Sequence, residues 1–148
     1  MAFLDTEALI IARLQAKLAA ASNTARVFAA SQMALIDERQ QIVPAIYVVF
    51  DGYEPTQSVG NGRVQQIEQH WTITVAVRNA YGQVSGEGVR NDAEPLLALV
   101  LAALCGWTPG AEFSGMVLAP GGAPVFGEGF GYFPLHFRTR TMVRGSTT

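Results

Sequence analysis

The segment Glu94–Pro109, EPLLALVLAALCGWTP, constrains this chain more than any other. From Leu96 to Cys105 no polar side chain interrupts it. A helix apolar on every side has no face that prefers water, so it is expected to be buried on most sides. It is too short for a bilayer, which takes about 20 apolar residues. Its place is therefore inside a fold or between subunits. Gly106 suits the left-handed C′ position that ends a helix, and Pro109 prevents continuation. Two starts are open, one near Gly86 with a bend at Pro95 and one capped by Asp92. Val89 and Ala93 extend the apolar pattern and favour the earlier start. Cys105, the only cysteine, is expected to pack inside this helix as a small hydrophobe, and no intramolecular disulfide is possible.

The rest of the chain supplies a sheet for that helix to cover. Val64–Arg78 alternates, with Ile67, Trp71, Ile73, Val75 and Val77 on one side and Glu68, His70, Thr72, Thr74 and Arg78 on the other. Residues 131–144 alternate again, placing Phe133, Leu135, Phe137 and Val143 opposite His136, Arg138 and Arg140. Pro44 leads into AIYVVFDGY, where Ile46, Val48 and Phe50 oppose Tyr47 and Val49, and both faces are expected to be at least partly covered. Short strands are expected at Arg26–Phe28 and Met116–Leu118. Near the N-terminus, Asp5 is placed as N-cap, Glu7 in the first turn, and Leu4, Ala8, Ile11, Leu14 and Leu18 on the buried face. Arg13 and Lys17 fall on the other side. A weaker second helix is expected over Ser31–Arg39. The stretches Asp51–Arg63, Tyr81–Gly88 and much of Thr108–Gly131 read as loops by their Gly, Pro, Asn and Ser content.

These elements predict one α+β domain, an antiparallel β-sheet with α-helices packed on one face and the polar face open. Its parts are an N-terminal helix within 1–24, a strand pair within 44–78 with a long loop at 51–63, the apolar helix within 86–106, C-terminal strands within 116–144, and a flexible tail at 145–148. Hydrophobic residues make up 49% and charged ones 15% of the chain, the latter below the roughly 25% usual for soluble domains. Such a balance, without a membrane span, implies that other chains cover some apolar surface. The net charge of −2 draws the protein neither to nucleic acid nor to an anionic membrane. The N-terminus lacks the basic region and cleavage site of a signal peptide, so a cytoplasmic setting, or an assembly built there, is expected.

Chemistry is not predicted. The two histidines, His70 and His136, sit on polar strand faces, and nothing at ligand spacing joins them into a metal site. The chain has no G-x-S-x-G elbow, and Gly127–Gly131 leads into a strand where a phosphate cradle needs a helix N-terminus. The acidic residues read as turn and cap residues, and none is paired for acid–base work. No catalytic, cofactor-binding or metal-binding residue is expected, and no cofactor. Arg78, Arg138 and Arg140 share the polar face, where the choice between an interface and solvation is open.

Four features together resemble the tail terminator proteins of long-tailed bacteriophages, the lambda U-like and Mu-like group. They are the N-terminal amphipathic helix, the Pro-led strand Pro44–Tyr53, the long strand carrying Trp71–Arg78, and the helix of form L-L-x-x-V-x-x-A-L-x-G-W-x-P at Leu96–Pro109. The resemblance implies a lambda U-like fold and a structural virion protein, not an enzyme. It implies a ring, of six copies in this family, that caps the tail tube, ends its polymerisation and receives the head-completion proteins. Localisation would be the tail–neck of the virion after assembly in the host cytoplasm. The partners implied are further copies of the chain, the tail tube protein and neck proteins, with DNA passing through the lumen and no membrane. Contact residues would be Asp51, Tyr53, Glu54, Gln57, Asn61, Arg63, Arg78, Arg138 and Arg140, the last two facing a neighbouring chain or the DNA channel. Leu97, Val100, Leu101, Leu104 and Trp107 would brace the sheet. The rival readings are another neck, head–tail joining or baseplate component, and a small ligand-binding or enzymatic α+β domain around His70 and His136.

Overall fold

A computed structural model describes residues 4–29, 43–78, 87–127 and 129–146. In chain order the elements are α1 (Asp5–Ala20), β1 (Arg26–Ala29), β2 (Ala45–Val59), β3 (Val64–Arg78), α2 (Glu87–Leu104), β4 (Val117–Ala119), β5 (Val125–Gly127) and β6 (Phe130–Arg144). They form a six-stranded sheet of order β1-β2-β3-β6-β4, with β5 also pairing β6. The strands pair antiparallel except β1 with β2, which are parallel. The sheet is therefore mixed, where the sequence predicts an antiparallel one. The chain between β1 and β2 is long enough for the crossover that parallel pairing requires. The helix expected at Ser31–Arg39 lies outside the described residues.

Burial on one face builds the core. Alternation on β3 puts Trp71, Ile73, Val75 and Val77 beside Ile46 and Val48 of β2 and Phe133 and Phe137 of β6. Ile10, Leu14 and Leu18 of α1 and Ala93, Leu96, Val100 and Leu104 of α2 pack onto them. Trp71, fully buried, has Phe50 tilted against it at 5.0 Å. The two helices meet through Arg13, whose Nε donates to the Ala103 carbonyl at 3.1 Å. Its guanidinium lies 5.7 Å from the centroid of the partly buried Trp107 ring. A cation at the C-terminal end of α2 also complements that helix's dipole.

Gly106 ends α2 with a φ of 77°, as its C′ position requires. Its N–H donates to Met116 O at 2.8 Å, and Met116 N–H returns a bond to Trp107 O at 2.9 Å. A Cβ on Gly115 would stand 3.0 Å from the Gly106 oxygen, so two glycines let the helix end meet the segment leading into β4.

Strand and helix lengths do not match. β2, β3 and β6 each have 15 residues, about 50 Å at 3.3 Å per residue. The helices, of 16 and 18 residues, reach only about 24 and 27 Å. They cover the half of the sheet that holds Trp71 to Val77. The other half projects beyond them as the β2–β3 hairpin, with β6 alongside.

Several expectations are corrected. Asp51–Arg63 is not a loop: β2 continues to Val59 and closes on β3 through residues 60–63. Register shifts between Phe50 and Gly52 and between Pro55 and Gln57 absorb the Gly and Pro that read as loop. A strand edge also tolerates Pro55. Gly60, Asn61 and Gly62 all have positive φ, which makes the turn.

α2 is buried on most sides, as expected, and leaves one strip open. Glu94, Ala98 and Ala102 are exposed, and Cys105 is exposed just past the helix end, so the cysteine is not a core residue. One helix layer on a sheet leaves its outer face in water, and alanine is small enough for that to cost little. On α1, Asp5 is the first helical residue, and Leu4, which offers no side-chain cap bond, holds the N-cap position. The buried stripe is Thr6, Ile10, Leu14 and Leu18, leaving Ala8 and Leu4 exposed. The sheet face away from the helices is closed near β1, where Ala45, Tyr47 and Ala76 are fully buried. There Phe28 stacks on Tyr47 at 5.6 Å.

Trp71→Ala is expected to lower the unfolding free energy by about 3–5 kcal/mol, the range for truncating a buried aromatic. Ala98→Ser, on the exposed face of α2, should change it by less than about 0.5 kcal/mol. Denaturant melts of the two variants check both values. Comparable losses would contradict the open strip on α2.

Candidate functional site

Charge collects on the sheet face opposite the helices, along the projecting half. Even-numbered residues of β3 and β6 point there, and the register sets them in rows. Glu54, Glu68 and Arg140 form one row; Gly52, His70, Arg138 and Val117 form the next; Thr72, His136 and Ala119 follow.

Glu68 is the centre of this group, its side chain only 7% exposed. Arg140 Nε donates to Glu68 Oε2 at 3.0 Å. Arg138 Nη1 and His70 Nε2 lie 3.9 and 3.6 Å from Oε1. A buried carboxylate persists only when charge and hydrogen bonds compensate it, and the two guanidinium groups do so here.

A second group sits one row on. The Thr72 hydroxyl donates to Asp51 Oδ2 and lies 2.9 Å from His136 Nδ1. Thr72 Oγ1 thus stands between the Asp51 carboxylate and His136 Nδ1. Asp51 Oδ2 is also 3.7 Å from the same nitrogen.

Neither group has the layout of a catalytic or metal centre. In a hydroxyl–histidine–carboxylate relay the nucleophile and the carboxylate use opposite ring nitrogens. At His136 they share one, and the hydroxyl gives its hydrogen to the carboxylate. Glu54, Glu68 and His70 offer ligand atoms within 4.8 Å of one another. Glu68, however, is already held by Arg140 and Arg138, and a cation would enter against two positive charges. The donor set is that of an ion-pair network.

The sequence-predicted contact residues divide into three places. Asp51, Glu54 and Gln57 lie on β2, with Tyr53 turned to the helix side by its pairing with Gln69. Asn61 and Arg63 are at the hairpin turn, where Gly145 N–H donates to Arg63 O at 2.6 Å and ties the end of β6 to it. Arg78 is not with Arg138 and Arg140. It stands at the opposite end of β3, its guanidinium 4.9 Å from the Phe130 ring centroid. Val100 and Leu104 are buried under the helix, and Leu97, Leu101 and Trp107 pack partly buried against the same core.

Sequence reasoning placed Glu68 on the polar face but missed its burial. It also passed over Gln69 and Thr139, both buried on the helix side. Trp71 Nε1 donates to Gln69 Oε1 at 3.3 Å, and the Thr139 hydroxyl donates to Ser114 O at 2.8 Å. The available signal was parity: Gln69 interrupts the apolar face between Ile67 and Trp71. Asp51 and Glu54, turn residues by their local composition, are strand residues facing this network.

Glu68→Gln is expected to cost about 1–3 kcal/mol, the range for disturbing a buried charged hydrogen-bond partner. Arg138→Gln, at a side chain 44% exposed and 3.9 Å from Glu68, should cost less than about 1 kcal/mol. Chemical denaturation of both variants, with a Glu68/Arg140 double-mutant cycle, measures the difference. Equal effects would remove Glu68 from the centre of the network.

Among the described residues no helix is long and apolar enough to cross a membrane. A search of curated proteins gives no match. The profile of the phage tail terminator proteins matches residues 1–148, the whole chain. The apolar helix ending in Gly106-Trp107 and the long strands it covers accord with that match. The chain belongs to the phage tail terminator protein family, a family of structural virion proteins of the phage tail.

Proposed function

We propose that this chain assembles into a ring of six copies that caps the tail tube, stops its polymerisation and offers the head-completion proteins a docking face. The family match over the whole chain carries the reading. The sheet that outruns its helices supports it. Its projecting half leaves Tyr53 and Val143 on the helix side and Val59 on the other face exposed by 56, 41 and 51%. An end of this kind suits a contact with another protein.

In this reading the turn at residues 60–63, with Arg144 and Gly145 beside it, makes the axial contact with the tube or the neck. Asn61 and Arg63 are its polar contacts, and Tyr53, Pro55 and Val143 its apolar floor. Glu54, Gln57, Arg138 and Arg140 meet a neighbouring protein rather than DNA. Asp51, Glu54 and Glu68 sit among the arginines, so this face is not the uniformly basic surface that phosphate contacts require. Capping needs no chemistry: one ring face binds the last tube ring, and the other lacks what a further tube subunit would bind.

Tube growth measures this. Tube protein from the same phage, polymerised with the unsubstituted chain, is expected to give shorter tubes as the chain is added. Arg63→Glu should fold normally and leave tubes growing as if nothing had been added. Tubes whose lengths ignore the unsubstituted chain would contradict the capping role. Full capping by Arg63→Glu would remove the turn from the contact.

A further inference from the structure

Among the described residues two edges of the sheet are open, and they differ. On one side β1 pairs only with Ala45–Val48 of β2, and Tyr53–Val59 is exposed throughout. That stretch carries Glu54, which makes no salt bridge among the described residues. On the other side lies β4, whose Val117 and Leu118 are exposed by 49 and 46% and which contains no charged residue. Proteins protect open strand edges with charge, proline or bulges. β2 has Pro55 and two register shifts, whereas β4 is merely short and apolar. Beside β4 stands Arg138, whose side chain is 44% exposed and 3.9 Å from its nearest carboxylate oxygen.

The edges also match in direction and facing. Antiparallel pairing from β2 to β3, β3 to β6 and β6 to β4 makes β4 run opposite to β2. Rotation about an axis near the strand direction keeps the sense of each strand, so β4 of one copy would meet β2 of the next antiparallel. Val117 pairs with Arg138 and lies on the charged face, while Leu118 pairs with Phe137 on the helix side. Glu54 shares the charged face and Tyr53 the helix side. Val117 stands in the row of Gly52. A stagger of two residues along the edge, which a closed ring accommodates by tilting its strands from the axis, therefore sets Glu54 by Val117 and Arg138, and Tyr53 by Leu118, without turning either sheet over.

We propose that the lateral contact of the ring is this one: Tyr53–Val59 of one copy docks along β4 of a second copy. Glu54 meets the second copy's Arg138, and Tyr53 meets its Leu118. The proposal rests on the ring reading above and names the surfaces that build it. Two unlike edges in one chain make a heterologous contact, the kind that closes into a ring when the rotation allows. Opposite charges set the register of the two edges.

The test is covalent capture between copies. In a Cys105→Ser background, Glu54→Cys with Val117→Cys is oxidised after the protein has been bound to tail tubes. A denaturing gel without reductant is expected to show a ladder of linked copies from the double variant and monomers from either single one. Caps on tube ends with no ladder would overturn the contact while leaving the ring. Dimers from Val117→Cys alone would overturn it in favour of a two-fold β4–β4 pairing. No ring at all from the unsubstituted chain would overturn both. As a second measure, Glu54→Arg should raise the concentration needed for ring formation at least about tenfold, and adding Arg138→Glu should restore it. Unchanged assembly by Glu54→Arg would count against the charge pair.

Discussion

Everything in this structure follows from a sheet that its own helices cover only in part. Strands of about 50 Å carry helices of about half that length. The covered half has Trp71, Val75 and Phe137 under α1 and α2 and makes the core. The uncovered half cannot be stabilised in the same way. There the chain uses a buried carboxylate, Glu68, held by Arg138 and Arg140, to pin β3 to β6 on the face away from the helices. On the helix side the buried Gln69 and Thr139 take the place of apolar residues, each hydrogen-bonded. One strand trio thus has an apolar half that folds and a polar half that projects.

Legibility divided along the same line. The covered half obeys hydrophobic period, and the sequence revealed it closely: β3 runs over Val64–Arg78 as its alternation predicts, and α2 ends at a Gly106 of positive φ. The projecting half is held by pairing to strands distant in sequence, which period does not report. Asp51–Arg63 has loop composition, yet it is strand because β3 supplies a ladder and register shifts accommodate Gly52 and the Pro55–Gln57 step. Exposure on α2 follows residue size. Leu96–Cys105 is apolar throughout, but small residues at Ala98 and Ala102 mark the face left to solvent. The charged group was visible only as separate residues, since its members come from β2, β3 and β6 and meet through register alone.

The same division separates scaffold from partner contacts. The Gly106–Trp107 ending ties α2 to Met116 and so positions β4 at the sheet edge. Packing thereby fixes the apolar edge, while the charged face and the hairpin turn are left free of the core. That arrangement suits a structural protein of the phage tail, whose rigid centre presents surfaces to other tail or head proteins. The ring, its lateral seam along β2 and β4, and its axial contact at the turn are the proposals built on it.

The central claim is that this chain ends a tail tube as a closed ring. Electron-microscopic averaging of tube ends, taken after the purified chain is mixed with tubes, tests it most directly. The expected image is an added six-fold ring at one end of each tube and nowhere along its length. Tube ends indistinguishable from those without the chain, or density distributed along the tube wall, would contradict it.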